Sequence, residues 1–537
     1  MRARFAVLLT IAVILSSLSN ARAQRKSRFT DVTAASGLRL NTEHRPNRPQ
    51  FGTQRPHGVA VEDFDGDGKL DILFVSFGVP HVQLFRNLGE LRFADITKGS
   101  GLETFQGWGT GAAVADFDRD GTLDVYLTSV EFTRQKRSVT PAGKESRLYK
   151  GLGNGKFVDV SLKSGTLLRR PGRCAAWSDI DGDGDVDLFV ACPHTPSVLF
   201  RNNGDGTFSD ISKEAGVALD KRASLGCTFG DVDGDGRDDL FVANYYSQVS
   251  ALLKNLGGGR FRDITKAAGL DRKAAGVGCV FADVYNRGQL DLFLTTDSWL
   301  SGANYTEKQL LARGNTVTPN MLFDSDGGGR FKPVTATTLH HKTLSHDAIL
   351  EDLDHDGQID IYVGVDAIPT GNRFATHKGG NPAWTRRDGK WIEVRKQWGI
   401  GFESNCVCVP AADFDNDGDL DLLLVNFYQN AVLYRNNTND KNWIKVKPIG
   451  TKSNLDGIGS QIRLYAVNKN RRQLVATRSI QSGAGYGRSS PLEAHFGLGR
   501  PLAEEYQLEV LFPATNARLR KESIQPGQRI VISEPAP

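Results

Sequence analysis

Polar and apolar positions along this chain follow one refrain. Seven times an acidic stretch of nine residues gives way to an unbroken apolar run. The stretches begin at Asp63 (DFDGDGKLD), Asp116 (DFDRDGTLD), Asp179 (DIDGDGDVD), Asp231 (DVDGDGRDD), Asp283 (DVYNRGQLD), Asp352 (DLDHDGQID) and Asp413 (DFDNDGDLD). Runs such as ILFV, VYLT and LLLV follow them, and a short run with no polar alternation predicts a strand covered on both faces. Next comes a strand ending in a Gly/Asn turn (VQLFRNLG, SVLFRNNG, ALLKNLGG), then an amphipathic strand (LRFADITKGSGL, GTFSDISKEAGV, GRFRDITKAAGL). A short apolar strand leads into the next acidic stretch. Four strands per unit of roughly 50 to 70 residues, joined by short turns, predict the blades of a β-propeller.

The amphipathic strand is missing after the seventh acidic stretch, but a copy stands near the N-terminus, as Arg28-Phe29-Thr30-Asp31-Val32-Thr33. The sequence therefore predicts an all-β fold: a seven-bladed propeller over 28–437, with residues 29–33 completing the last blade and removing the exposed edges of an open sheet. From 441 to 537 the acidic phrase is gone. Alternating segments (WIKVKPI, QIRLYAV, QLEVLF, RIVIS) with Gly-rich turns predict a small separate β domain.

Residues 1–23 pair a basic start (Arg2, Arg4) with an apolar stretch and a small-residue site at Ala21-Arg22-Ala23, the pattern of a secretory signal cut before Gln24. That predicts a secreted, periplasmic or cell-surface protein with no membrane span after cleavage, and disfavours nucleic acid as a partner. Six cysteines suit an oxidising compartment without making a disulfide scaffold. Cys174 and Cys192 flank the third acidic loop, a candidate bridge if that loop joins antiparallel strands. Two glycosylation sequons begin at Asn304 and Asn436.

The acidic stretches carry the chemistry. Six of the seven place Asp at positions one, three, five and nine around a Gly at six. Calcium takes six to eight oxygens, and three aspartates in a tight turn, a carbonyl at seven and a carboxylate opening the next strand can supply them. The predicted ligands are Asp63, Asp65, Asp67 and Asp71; Asp116, Asp118, Asp120 and Asp124; Asp179, Asp181, Asp183 and Asp187; Asp231, Asp233, Asp235 and Asp239; Asp352, Asp354, Asp356 and Asp360; and Asp413, Asp415, Asp417 and Asp421. In the fifth stretch Tyr285 and Arg287 replace two aspartates, so no metal is expected there, and Arg287 is expected to pair with Asp283 or Asp291. Unit charges about 4 Å apart repel by about 4 kcal/mol at an effective dielectric of 20, so four carboxylates per loop call for a counter-ion. With sites near 10⁻⁴ M and about 1 mM calcium, each contributes roughly 1.4 kcal/mol and the six about 8.

The repeated half resembles the FG-GAP/VCBS repeat family, which includes the integrin α-subunit propeller. The C-terminal part resembles the ASPIC/UnbV domain through Asn454 to Gly459 (NLDGIG), Ser482-Gly483-Ala484-Gly485-Tyr486 and His495 to Gly499 (HFGLG). The pairing is the layout of the cartilage acidic protein 1-like family, which implies an extracytoplasmic calcium-binding interaction protein and no known reaction.

The 24 predicted ligands are drawn from 62 acidic residues against 66 basic ones, so the rest of the surface is basic and favours an anionic glycan or an acidic protein face. Long insertions at 131–144, 297–319 and 366–387 fall on the face opposite the acidic loops. Elaborated loops on a rigid scaffold make that face the candidate recognition surface, with Trp299, Tyr305, Trp384 and Arg386 as candidate contacts. His57 and His346 precede their acidic loops by the same interval, and with Glu403 and Arg173 nearby they could line the far mouth of the channel. Three readings follow: an adhesion or interaction module, a polysaccharide lyase or hydrolase using that group, or a structural matrix or envelope component. The sequence leans away from an enzyme, because it has no nucleophile motif, zinc spacing or phosphate loop.

Overall fold

The computed structural model describes residues 27–40, 56–130, 144–220, 222–297, 318–339, 344–365, 369–370, 373–374, 380–427, 429–469, 471–500 and 503–536. The signal segment, Trp299, Tyr305 and the Asn304 sequon lie outside them.

Each acidic loop turns one antiparallel strand into the next. The second strand of every blade starts on the ninth residue of the loop: Asp71–Ser76, Asp124–Ser129, Asp187–Ala191, Asp239–Asn244, Asp291–Thr296, Asp360–Val365 and Asp421–Asn426. Every residue of these strands is buried, as their unbroken apolar runs predict. The innermost strands are Pro56–Glu62, Gly109–Ala115, Cys174–Ser178, Ser224–Gly230, Gly276–Ala282, Ser345–Glu351 and the interrupted pair Cys406–Cys408 and Ala411–Ala412. Each packs on the next, and the last packs on the first, so seven four-stranded sheets close into a ring.

The ring is fastened by Phe29–Asp31, which pairs antiparallel with Val432–Asn436, Phe29 opposite Asn436. The predicted strand is shorter than expected, since the chain turns at Thr33 into a four-residue helix ending on left-handed Gly37. Phe29 is 2% exposed and meets Trp398 of blade 6 at 6.1 Å between ring centroids.

The C-terminal part has two sheets. One runs Ala494–Gly497, Trp443–Ile449, Gln528–Ser533; the other runs Arg471–Ser479, Gln461–Asn468, Glu505–Leu511, Arg518–Ile524. It does not stand apart from the ring as the sequence suggested. One buried apolar cluster runs from Phe117, Trp177 and Val186 of blades 2 and 3 into Ile444, Ile458, Leu508 and Phe512. The C-terminal part sits on the acidic-loop face and sends a hairpin into the channel. Ser482 accepts from Trp177 N–H (2.9 Å), Gly485 donates to Cys279 (3.1 Å), and Gly487 accepts from Val59 N–H (3.3 Å). Arg488–Ser489 then pairs in parallel with Val59–Ala60. Glycine is required at the tip: Gly485 has φ +68°, and a Cβ there would lie 2.1 Å from Asp347 Oδ1.

The cysteines are free, so the expected Cys174–Cys192 bridge is absent. Cys174 faces Ala191 in its own sheet, while its Sγ lies 3.4 Å from that of Cys227 on the neighbouring blade. The Asn436 sequon is closed to glycosylation: the residue is fully buried and its amide donates to Leu353 O and Leu420 O.

Candidate metal loops and the domain that covers them

The first loop shows how the frame is built. Asp63 draws the chain around itself, accepting from Gly66 N–H and Asp67 N–H on Oδ1 and from Gly68 N–H on Oδ2 (2.8 to 3.0 Å). Asp67 accepts from Lys69 N–H (3.0 Å). Asp71 accepts from Phe64 N–H (3.1 Å) and from Asn87 N–H (2.8 Å) at the end of the third strand. Position four is left-handed in all seven loops, held by Gly66, Arg119, Gly182, Gly234, Asn286, His355 and Asn416. Such a turn is easiest for Gly and Asn and tightens the loop around its carboxylates.

Within this frame the carboxylates converge. Oxygens from positions one, three and nine lie within 4.8 Å of one another in the first four loops: Asp63, Asp65, Asp71; Asp116, Asp118, Asp124; Asp179, Asp181, Asp187; Asp231, Asp233, Asp239. In the sixth loop the converging set is Asp352, Asp354 and Asp356. The aspartate at position three tests the fit to a cation. In each of the six intact loops (Asp65, Asp118, Asp181, Asp233, Asp354, Asp415) one of its oxygens is buried without a hydrogen bond, although at Asp65 that oxygen lies 2.5 Å from Arg86 Nε. A buried carboxylate oxygen without a donor is costly, and a metal in the cage satisfies it. Burial pushes the position-nine acids upward: Asp71 to about 7, Asp239 to about 8, Asp124 to about 9, and Asp187 and Asp421 well above the usual carboxylate range.

Basic side chains of the third strand partly offset this charge. Arg86 contacts Asp65 and Asp67, Lys150 contacts Asp118 and Asp120, Lys254 contacts Asp233 and Asp235, and Arg435 contacts Asp415 and Asp417. With Lys69, Arg237 and Lys445 added, one or two cations face the four carboxylates of each of these loops and do not balance them.

The fifth loop keeps the frame and changes the occupant. Asp283 accepts from Arg287 N–H (2.7 Å) and Gly288 N–H (2.8 Å), and Asp291 from Val284 N–H (3.0 Å). The Arg287 guanidinium donates to Asp291 Oδ1 (3.1 Å) and to Asp324. Its side-chain partner is thus Asp291, with Asp324 added from the third strand. Tyr285 stacks between Arg287 and Arg386, whose guanidinium carbons lie 4.9 and 4.7 Å from its ring centroid.

A model for an FG-GAP-like repeat matches residues 56–127, 179–242 and 231–294, and one for ASPIC and UnbV matches 450–537. The chain is an FG-GAP repeat protein with a C-terminal ASPIC/UnbV domain. It is 25% identical to mouse cartilage acidic protein 1 over 546 residues, covering 95% of this chain and 77% of that protein. The human protein of the same name is 24% identical over 555 residues, at 95% and 77% coverage. Among solved structures, the exotype rhamnogalacturonan lyase YesX aligns over 76% of each chain at 14% identity, with a TM-score of 0.39.

The ASPIC/UnbV region meets the acidic loops in turn. Leu492 N–H donates to Glu62 (2.5 Å), Asp456 accepts from Asp116 N–H (2.6 Å), and Arg119 donates to Thr451 O (2.5 Å) and Lys452 O (3.2 Å). Gln461 donates to Asp231 Oδ2 (2.8 Å), Thr477 N–H to Asp283 Oδ2 (3.2 Å), and Gly499 N–H to His355 O (3.1 Å). Lys445 forms a buried ion pair with Asp413. No spacing in the sequence signalled these contacts. The strand-end asparagines were missed as well, although their recurrence in RNLG, RNNG, KNLG and RNNT was visible. Asn87, Asn202, Asn255 and Asn436 each donate to a carbonyl in the preceding blade's acidic loop: Phe414, Phe117, Ile180 and Leu353 (2.8 to 3.0 Å).

The candidate partner contacts are largely redrawn. Trp384 is 1% exposed and belongs to the core between blades 5 and 6. Arg386 lies at the acidic-loop end of its strand, against Tyr285, rather than on the opposite face. His57 is buried between Phe77 and Phe427 (3.7 and 4.6 Å between centroids), and His346 packs on Tyr486 of the channel hairpin (4.7 Å). Arg173 stacks on the same tyrosine at 3.9 Å, and burial lowers its pKa to about 9. Glu403 is exposed. Among the described residues no helix is long and apolar enough to cross a membrane.

Proposed function

We propose that this protein is an extracytoplasmic, calcium-loaded interaction module whose ring is kept rigid by metal in its six intact loops. The observation that carries this reading is the buried oxygen without a hydrogen bond on the third aspartate of those loops, which in all but the first has no basic group against it. Calcium fits an all-oxygen cage that needs several ligands, whereas magnesium prefers to keep its waters. The metal's role is structural: it compensates carboxylates whose charge burial disfavours.

The interaction reading rests on a filled channel. Residues 482–489 occupy the space that an active site at the ring axis would need, and His57 and His346 are each packed against aromatic rings. The ASPIC/UnbV domain covers the acidic face, leaving the outer strands and the opposite face for a partner. An excess of basic residues outside the loops favours an acidic protein or an anionic polysaccharide.

Metal counting on the purified chain, exchanged into metal-free buffer and reloaded, tests the first part. The expected stoichiometry is six calcium ions, and a chain that retains none overturns it. Binding to an immobilised sulfated or uronic polysaccharide, and to the same matrix without its acid groups, tests the partner class. Equal retention on both would refute an anionic glycan.

A further inference from the structure

One imidazole and two carboxylates that the calcium cages leave unused as side-chain ligands meet at the junction of blade 6, blade 7 and the C-terminal region. His355, the fourth residue of the sixth loop, is 2% exposed and held at φ +56°. Its Nδ1 lies 2.9 Å from Asp440 Oδ1 and 3.8 Å from Asp419 Oδ1. Asp419 is the seventh residue of its loop, where calcium takes the backbone carbonyl and leaves the side chain unused. It is fully buried; Oδ2 accepts from Asn439 N–H (2.6 Å), while Oδ1 has no hydrogen bond. Asp440 is held in place by Asn442, which donates from its backbone N–H (2.9 Å) and its amide (2.7 Å), with Arg500 3.8 Å from Oδ2. The His355 ring is kept in plane by His495, stacked at 5.2 Å.

We propose that His355, Asp419 and Asp440 form a binding site for one borderline divalent cation, with zinc the best match. Ligand atoms around a tetrahedral ion with bonds near 2.0 Å lie about 3.3 Å apart, and the two nitrogen–oxygen spacings bracket that value. One imidazole and two carboxylates leave a fourth position for water. An imidazole ligand suits zinc or cobalt and not calcium, which takes oxygens. The ion compensates two carboxylates that share a single imidazole, and it ties both blades to the ASPIC/UnbV domain. It is a different site from the calcium cages and does not depend on them for its ligands.

The test is zinc titration of the full chain in calcium-saturated buffer, followed by native mass spectrometry. One zinc per chain is expected in addition to calcium. His355→Asn tolerates the left-handed backbone, and Asp419→Asn keeps the calcium-binding carbonyl. Each should weaken zinc by at least about tenfold, and so should Asp440→Asn, which lies outside every acidic loop and leaves the calcium count at six. Wild-type protein that takes up no zinc, or a His355→Asn variant that binds it as tightly, overturns the proposal. If none of these variants folds, X-ray absorption of the zinc-loaded wild type decides: one nitrogen among oxygens supports the site, and an oxygen-only shell refutes it.

Discussion

The fifth acidic loop and its six neighbours share one backbone and solve the same electrostatic problem in two ways. In both, position one gathers loop amides and position nine accepts from the loop and from the third strand. In the six, a buried carboxylate oxygen at position three makes no hydrogen bond. In the fifth, a guanidinium delivered from position five reaches Asp291, and a tyrosine replaces the third acid. Arg287 is an internal cation, always present and covalently tethered. On the reading proposed above, the other six take theirs from solution. The ring therefore carries its own control for what a metal does.

The largest effect that would break this comparison is loss of calcium. Chelation with EGTA should lower the melting temperature by more than about 10 °C, since six sites together contribute about 8 kcal/mol. An unchanged calorimetric melt would mean the six loops are as self-sufficient as the fifth. Next is conversion of the fifth loop: Tyr285→Asp with Arg287→Asp should raise the calcium count from six to seven and make that blade sensitive to chelation.

Single-site changes should separate the classes. Asp65→Asn should remove one calcium and cost roughly 1.4 kcal/mol in millimolar calcium, with little cost once metal is stripped. Arg287→Ala should cost about 1–3 kcal/mol whether or not calcium is present, because it leaves Asp291 buried without its cation. Denaturant titrations with and without calcium check both.

The pH dependence is subtler. Asp71, Asp239 and Asp124 have raised folded pKa values, to about 7, 8 and 9, so in metal-free protein their contribution is full below the unfolded value and is lost as pH rises through 7 to 9. Metal-free protein should thus lose stability across that window, while calcium affinity rises with pH as the same protons leave. The smallest effect is at the rim. Arg86, half-exposed against Asp65 and Asp67, competes with the metal, so Arg86→Gln should tighten calcium in the first loop by about two- to threefold.

Much of this was legible in the sequence because it is local and repeated. The nine-residue spacing gave the aspartates that converge within the loops and the start of each second strand, and the unpaired seventh unit pointed to the N-terminal closing strand. The rest was not legible because it is carried by single contacts between distant segments. Nothing in the spacing of SGAGYGRSS says that Gly485 abuts Asp347, or that Lys445 reaches Asp413. The alternation in the last hundred residues gave strands but not the apolar surface they share with Trp177. Trp384 misled for a related reason: a long insertion hides where the strand resumes, and the residue sits inside that strand, paired with Ile361.

The pairing of Phe29–Asp31 with Val432–Asn436 also sets an order of events for a chain made from its first residue to its last. The opening strand must wait, with its partner unmade, until nearly all of the ring has emerged, and the hairpin that fills the axis comes later still. For most of its synthesis the polypeptide is an unclosed crescent with both edges bare. Residues 432–436 close that crescent, and only the final hundred seal its axis.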